Sequence, residues 1–302
     1  MSPEVILTRV VMPVSMAAIM FGLGTTLTPA DFRRVLRRPR AAAVGLVGQL
    51  VAVPLIAVGA ASLMDLEPLF AVGLVIIAAC PGGVLSNLVS WFARGDAALS
   101  VSLTAVTSCL SLITLPSWLA WATARYLGEA SAVSVSPLTV GEIALLTVIP
   151  VLSGLAFRRR WPARAEVMER PFKVGGLVFM VLTLVLLLAS RRGSAAAEVA
   201  SVAPAVLVLH FGTLAVGAAA SLLARLPRTA AVTVTLEVGI QNAALGMTVA
   251  AGLLGEPALA IPSAVYGFVM FQTSVVLIAI GRRFGGQSRK SSSSSPKLLS
   301  QR

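Results

Sequence analysis

The sequence is poor in the residue types that build most enzyme active sites and secreted scaffolds. It contains two cysteines and one histidine, and charged residues make up 12% of its 302 positions. Soluble domains carry roughly 25% charged residues, about twice as many. Cys80 and Cys109 both lie in apolar segments, so no disulfide framework is predicted. His210 stands alone and no apolar segment holds two acids, which disfavours a hydrolytic site, and the chain is not expected to be an enzyme.

The sequence is correspondingly rich in apolar residues. They make up 57% of the chain, and the mean hydropathy is +0.91. No soluble fold of this length buries so much apolar surface, so the composition predicts an all-α polytopic membrane protein with one membrane domain over residues 1–284. Helices are favoured over a barrel because the apolar segments are long and unbroken. The first of them lacks a basic leader and a small-residue cleavage site, so no cleavable signal peptide is expected.

The apolar segments predict nine transmembrane helices, each near the roughly 20 residues that a bilayer requires. The predicted spans are 7–28, 40–63, 68–92, 96–124, 137–157, 172–190, 200–224, 229–253 and 258–281.

Basic residues fall mainly on one side of these spans. Of the 24 lysines and arginines, 20 lie in alternate loops and the C-terminal tail, which places that side in the cytoplasm. The N-terminus is then outside the cell and the C-terminus in the cytoplasm. The expected location is the cell membrane, which would be the inner membrane in a bacterium. The net charge of +12 is explained by this topology, and no nucleic-acid partner is expected. Residues 285–302, with five consecutive serines, predict a disordered cytoplasmic tail whose basic residues either meet lipid headgroups or are simply solvated.

Two of the spans contain helix-breaking segments. One is Cys80-Pro81-Gly82-Gly83-Val84-Leu85-Ser86-Asn87, and the other is Thr235-Leu236-Glu237-Val238-Gly239-Ile240-Gln241-Asn242. Proline removes a backbone donor and glycine loosens a helix. The two segments lie five spans apart, so the helices that carry them run in opposite directions. Interrupted helices at matching places in two halves are typical of the binding site of a secondary transporter built from inverted repeats.

Glu237 is the most informative residue of the chain. An acid at membrane depth is costly and marks an ion or substrate path by default. The freed carbonyls and side-chain oxygens near it suit a hard cation, while the amide ends of the half-helices can face an anionic substrate. The residues therefore predict a cation site at the two breaks.

Several strings of the sequence resemble the bile acid:sodium symporter family. The similarity runs from about residue 18 to 281, and its strongest part pairs Cys-Pro-Gly-Gly with a later Glu-Val-Gly-x-Gln-Asn. The strings are Met20-Phe21-Gly22-Leu23-Gly24, Leu27-Thr28-Pro29-Ala30-Asp31-Phe32, Ala79-Cys80-Pro81-Gly82-Gly83, Ser86-Asn87, Ala93-Arg94-Gly95-Asp96-Ala97-Ala98-Leu99-Ser100-Val101 and Glu237-Val238-Gly239-Ile240-Gln241-Asn242.

The resemblance implies sodium-coupled uptake of an organic anion by a core domain that moves against a panel domain, with two unwound helices crossing in the core. It implies repeats over about residues 1–125 and 137–281. The first of the family's usual ten spans has no counterpart in this sequence, which means either that this helix is dispensable or that the start of the sequence is truncated. Two sodium ions are implied. One would be held by Ser86, Asn87, Ser100, Thr104 and Glu237, and the other by Gln49, Glu237, Gln241 and backbone oxygens near Val238 and Ile240.

The substrate side is less well defined. Asn242 would face the substrate, whereas Val84 stands where relatives often carry a hydroxyl and Met270 where they often carry a polar pair, so the expected cavity is more apolar. Bile acids, small carboxylates and sulfated steroids remain open as substrates. Organic anion and membrane lipid are the expected partners, with no obligate protein partner evident.

Other functions stay open from the residues alone. A proton-coupled antiporter would need an acidic pair at the crossing, and only Glu237 is there. An arsenite-type exporter on a related fold would need Cys80 to be essential. A membrane receptor, an intramembrane enzyme or a channel is disfavoured, because neither a catalytic set nor a filter loop is evident.

Overall fold

The computed structural model describes residues 12–128, 137–168, 171–172, 174–175, 178 and 195–285, and its regular elements there are all helical. The α-helices are α1 (Met12–Thr26), α2 (Pro29–Arg37), α3 (Pro39–Val47), α4 (Val53–Leu63), α5 (Pro68–Ala79), α6 (Val84–Phe92), α7 (Ala97–Tyr126), α8 (Pro137–Arg160), α9 (Ala195–Leu223), α10 (Arg228–Gly239), α11 (Ala243–Met247) and α12 (Ile261–Gly285). Wider π-helical turns follow α3 at Gly48–Ala52 and α11 at Thr248–Leu253, and a 3₁₀ turn at Pro257–Ala260 precedes α12.

Four segments of the described chain are long and apolar enough to cross a membrane. They are Pro39–Leu63, Ala97–Tyr126, Ala196–Leu223 and Pro257–Arg283, with shorter apolar helices at Ala17–Thr26 and Pro68–Ala79. The prediction of an all-helical membrane protein is confirmed at this level. Most of the predicted span 172–190, the start of the first span and almost all of the 285–302 tail lie outside the described residues.

Helices α1 and α8 pack side by side through glycines. A Cβ added to Gly24 would overlap the carbonyl oxygen of Val151, and one added to Gly154 would lie 2.9 Å from the Cα of Gly24. Small residues let membrane helices approach backbone to backbone, which allows this apolar pair to pack closely.

Helix α5 occupies the centre of the bundle. Its residues from Phe70 to Ala79 are all buried, and it packs against α4, α7 and α12. Its uniformly apolar surface explains this place, because a helix that is apolar all round is stable only when protein or lipid covers every side.

The two predicted helix breaks are confirmed. Helix α5 ends where Cys80 turns to extended backbone (φ −67°, ψ 143°), as the residue before a proline prefers, and α6 starts at Val84. Helix α10 ends at Gly239, Ile240 is extended (φ −119°, ψ 110°), and α11 starts at Ala243. The Asn242 side chain caps α11 by accepting a hydrogen bond from the Leu245 amide at 3.1 Å.

Candidate functional site

The two unwound segments, residues 80–83 and 240–242, cross each other, and we call this place the crossover. Gly82 and Gln241 form an antiparallel β-bridge, and the Asn242 amide donates to the Pro81 carbonyl at 3.0 Å. Backbone groups freed inside a membrane protein need partners within the protein. Each broken helix thus satisfies part of the backbone of the other, and the antiparallel bridge agrees with the predicted opposite directions of the two helices.

Glu237 lies one turn from the crossover and is fully buried, with 0% exposure. Its carboxylate accepts hydrogen bonds from two hydroxyls one turn apart on α7, Ser100 at 2.8 Å and Thr104. Thr104 Oγ1 also lies 3.1 Å from Oδ1 of Asn87 on α6. The Cβ that Gly82 lacks would lie 3.0 Å from Glu237 Cδ and 3.3 Å from Ser86 Oγ, so both side chains border the same small space.

The charge of Glu237 has no basic partner among the described residues. The two ion pairs found there join Asp31 to Arg34 and Asp96 to Arg38, and neither includes Glu237. A buried carboxylate without a countercharge is strongly disfavoured, so the ionised form requires a cation close by. The polar partners shown for it, Ser100 and Thr104, offer oxygen, the ligand atom that alkali and alkaline-earth ions prefer.

Two glutamines, Gln241 of the crossover and Gln49, contact each other. Gln49, in the π-helical turn after α3, donates to Gln241 Oε1 at 2.6 Å and to the Cys80 carbonyl at 2.9 Å. Gln241 donates in turn to the Val238 carbonyl at 2.8 Å, and both glutamines are 1% exposed. The side-chain amides thus link α3 to both broken helices, and the residues predicted from the sequence for the second ion site lie together.

The predicted substrate residues do not come together in the same way. Asn242 is half-buried at the crossover, and Val84 is 41% exposed at the start of α6. Met270, on α12, is buried in the hydrophobic core. A small cavity lies beside the crossover, but among the described residues that line it are none of these three. It is lined by Met20, Leu23, Pro81, Ser108, Ser111, Leu112, Leu115, Pro116 and Leu245.

Sequence reasoning missed several polar contacts near the breaks. The Tyr266 hydroxyl on α12 donates a hydrogen bond to the Gly239 carbonyl at 2.8 Å. The Thr233 hydroxyl of α10 accepts a hydrogen bond from the Asp96 amide at 2.7 Å. The Arg38–Asp96 ion pair joins the start of α3 to the start of α7. A tyrosine inside an apolar span was the only signal in the sequence for the first contact, and partners so distant in the chain left no signal for the others.

Comparison with known proteins identifies the family of the chain. The family model described as the sodium bile acid symporter family matches residues 13–198, which include the first broken helix and all of α7. The chain is also similar to a probable sodium/metabolite cotransporter, BASS1, of Arabidopsis thaliana chloroplasts, at 30% identity over 278 residues. That alignment covers 89% of this chain and 66% of the plant protein, so the chain spans just under two thirds of that relative.

Two further relatives extend the comparison to bacteria and animals. The uncharacterized sodium-dependent transporter YocS of Bacillus subtilis is 30% identical over 253 residues, covering 82% of this chain and 75% of YocS. The human ileal sodium/bile acid cotransporter is 30% identical over 175 residues, covering 58% of this chain and 50% of that protein. The relatives are transporters and not enzymes. With more than half of its length matched by the family model, the chain belongs to the sodium bile acid symporter family.

Proposed function

We propose that this protein is a sodium-coupled symporter for an organic anion. The observation that carries the proposal is the buried Glu237 carboxylate, which has hydroxyl partners and no described basic one. The names of the relatives support sodium as the cation, since all three describe sodium-dependent transport or cotransport.

The first proposed sodium site lies between α6, α7 and α10. Oxygens of Ser86, Asn87, Ser100, Thr104 and Glu237 would hold the ion. Thr104 has one hydroxyl proton but lies within reach of two acceptors, Asn87 Oδ1 and the Glu237 carboxylate. The single proton can be donated to one acceptor only, which leaves the oxygen of Thr104 facing the other acceptor without a proton between them. A cation among these oxygens would offset the repulsion between the two.

The second proposed site lies at the C-terminal end of α10. It would use Gln49, Glu237, Gln241 and the carbonyls of Val238 and Ile240. The carbonyl end of a helix carries partial negative charge and has free acceptors, so it attracts a cation. Glu237 contributes to both sites, and its charge would be shared by the two ions.

The anion would bind on the opposite side of the crossover, near Asn242 and the amide ends of α6 and α11. Cation binding holds together the segments that form this anion site, so sodium would raise the affinity for the substrate, and the substrate would raise the affinity for sodium by the same factor. We propose nine spans in two inverted repeats with the basic ends of the helices in the cytoplasm, and transport by motion of the core domain against the panel domain.

Thermal unfolding of the purified protein tests the ion dependence. We expect NaCl to raise the unfolding temperature above that in KCl of equal concentration, because a ligand at 100 times its Kd adds about 2.7 kcal/mol to the stability of the native state. The variant E237Q keeps the size of the side chain and removes the charge, and it should lose the difference between the two salts. Equal stabilisation of the wild type by sodium and potassium would overturn the sodium sites.

Transport is tested in proteoliposomes with labelled anions from several classes, including bile acids and small carboxylates. An inward sodium gradient should drive accumulation of at least one of them, and a proton gradient without sodium should not. The variant Cys80→Ala should transport normally. Transport that requires a proton gradient, or that requires Cys80, would favour the antiporter or the arsenite-type exporter instead.

A further inference from the structure

The C-terminal end of α10 has carbonyls that its own helix cannot satisfy. In a helix the last four carbonyls have no partner in the next turn. Two of those in α10 find partners outside it, because Gln241 donates to the Val238 carbonyl and Tyr266 donates to the Gly239 carbonyl, each at 2.8 Å. The partner of Gly239 comes from α12, which contributes none of the sodium ligands proposed above.

Tyr266 is closely packed where it makes this bond. It is fully buried, and its ring meets the ring of His210 edge to face, with centroids 5.3 Å apart and planes at 84°. Nε2 of His210 lies 2.7 Å from the hydroxyl of Thr273, which is about two turns beyond Tyr266 on α12. The lone histidine of the chain, on α9, therefore packs against the Tyr266 ring and is itself held to α12 by its contact with Thr273.

Packing from α9 prevents the end of α10 from moving away from the tyrosine. A Cβ on Gly239 would lie 2.7 Å from Cγ of Leu214, and a Cβ on Gly217 would lie 3.3 Å from Cβ of Val238. The glycines let α9 press against α10 at this level, so the Gly239 carbonyl has little freedom to turn toward another partner.

We infer that Tyr266 is a positioning residue for the second cation site, an inference that rests on the proposed function. The peptide group is planar, so fixing the Gly239 carbonyl also fixes the amide of Ile240 and limits how the Ile240 carbonyl can point. By holding the Gly239 carbonyl, the tyrosine turns it away from the ion. The Ile240 carbonyl would then reach the ion, together with the second lone pair of the Val238 carbonyl, whose first accepts from Gln241. The side chains of His210 and Thr273 support this role without touching the ion.

The two tyrosines of the chain offer a matched test. Tyr266→Phe removes the hydroxyl that holds Gly239, whereas Tyr126→Phe, at the end of α7, removes a buried hydroxyl that has no hydrogen-bond partner among the described residues. The measurement is the NaCl concentration that gives half of the sodium-specific thermal stabilisation, with KCl keeping the ionic strength constant. We expect Y266F to raise this concentration about tenfold, the factor that about 1.4 kcal/mol produces, and Y126F to leave it at the wild-type value.

The sodium midpoint separates positioning from a purely structural role. A tyrosine that only stabilised the fold would lower the unfolding temperature without sodium and leave the midpoint unchanged, and this result for Y266F would overturn the inference. If Y266F yields no folded protein, Thr273→Val decides, because it frees His210 while the hydroxyl of Tyr266 stays, and an unchanged midpoint there would likewise overturn the inference. A wild type without any sodium-specific stabilisation would instead refute the proposed function.

Discussion

Gly82 offers the sharpest test of the carboxylate site, since a single methyl group there would press on Glu237. The Cβ of an alanine at position 82 would overlap Oε1 of Glu237 and lie 3.0 Å from its Cδ, where an ordinary contact measures 3.4 Å or more. Gly82 does not have a positive φ, so the backbone itself tolerates alanine. The variant G82A therefore perturbs the carboxylate and not the local backbone conformation.

The magnitude follows from the hydrogen bonds that the carboxylate must give up. To make room, Glu237 has to move away from Gly82, which changes its distances to the hydroxyls of Ser100 and Thr104. A hydrogen bond to a charged group contributes about 1.5–3 kcal/mol. If displacement sacrifices one such bond in the sodium-bound state, the affinity for sodium falls about 10- to 150-fold, at 1.4 kcal/mol per factor of ten.

The neighbouring glycine is the control. A Cβ on Gly83 would lie 3.7 Å from the nearest atoms of Asn242, an ordinary contact, and the backbone there is extended. Sodium titrations of thermal stability should therefore show a raised midpoint for G82A and a nearly unchanged one for G83A. A G82A protein that folds and binds sodium as tightly as the wild type would refute the placement of Glu237 beside Gly82.

Two further predictions concern parts of the fold away from the ion sites. Asp96→Ala should lower the free energy of unfolding by about 1 kcal/mol because it removes the N-cap of α7. Asp96→Asn keeps a capping oxygen and loses only an ion pair whose arginine is half exposed, so it should cost a few tenths of a kcal/mol; equal losses in a denaturation assay would contradict the capping role. Gly24→Ala should destabilise the α1–α8 contact by about 1–3 kcal/mol through overlap with the Val151 carbonyl, whereas Gly141→Ala, with no atom within 4 Å of its Cβ, should be neutral or slightly stabilising. Equal unfolding temperatures for these two glycine variants would contradict the close packing.

The positions of the helix breaks were predictable because their causes are local. Pro81 cannot donate a backbone hydrogen bond and disfavours helical geometry at Cys80, and the two glycines that follow it weaken the helix further. The second break contains no proline, and Gly239 followed by Gln241 and Asn242 was a weaker signal. Its role became clear from its pairing with the first break, since two interruptions in oppositely directed helices suggest one shared site.

The partners of the predicted ion ligands were harder to foresee. A single sequence gave the spacing of Ser100 and Thr104 on one helix face, and both do contact Glu237. It gave no reason to pair Gln49 with Gln241, 192 positions away, other than the resemblance to a family. The contact of Tyr266 with Gly239 had no signal beyond a polar tip in an apolar span, because only the packing of α9, α10 and α12 brings the two together.

The arrangement of the crossover explains why cation and anion binding should be coupled without a long-range pathway. The Asn242 amide bonds to the Pro81 carbonyl, so the residue proposed to face the anion is attached to the first break. Glu237 belongs to the same helix as the second break and contacts α7 through its hydroxyl partners. A cation that draws Glu237, α6 and α7 together therefore also fixes the distance between the two breaks, on whose opposite side the anion would bind. Weakening the cation site and weakening the bridge between the breaks should reduce anion affinity by the same mechanism.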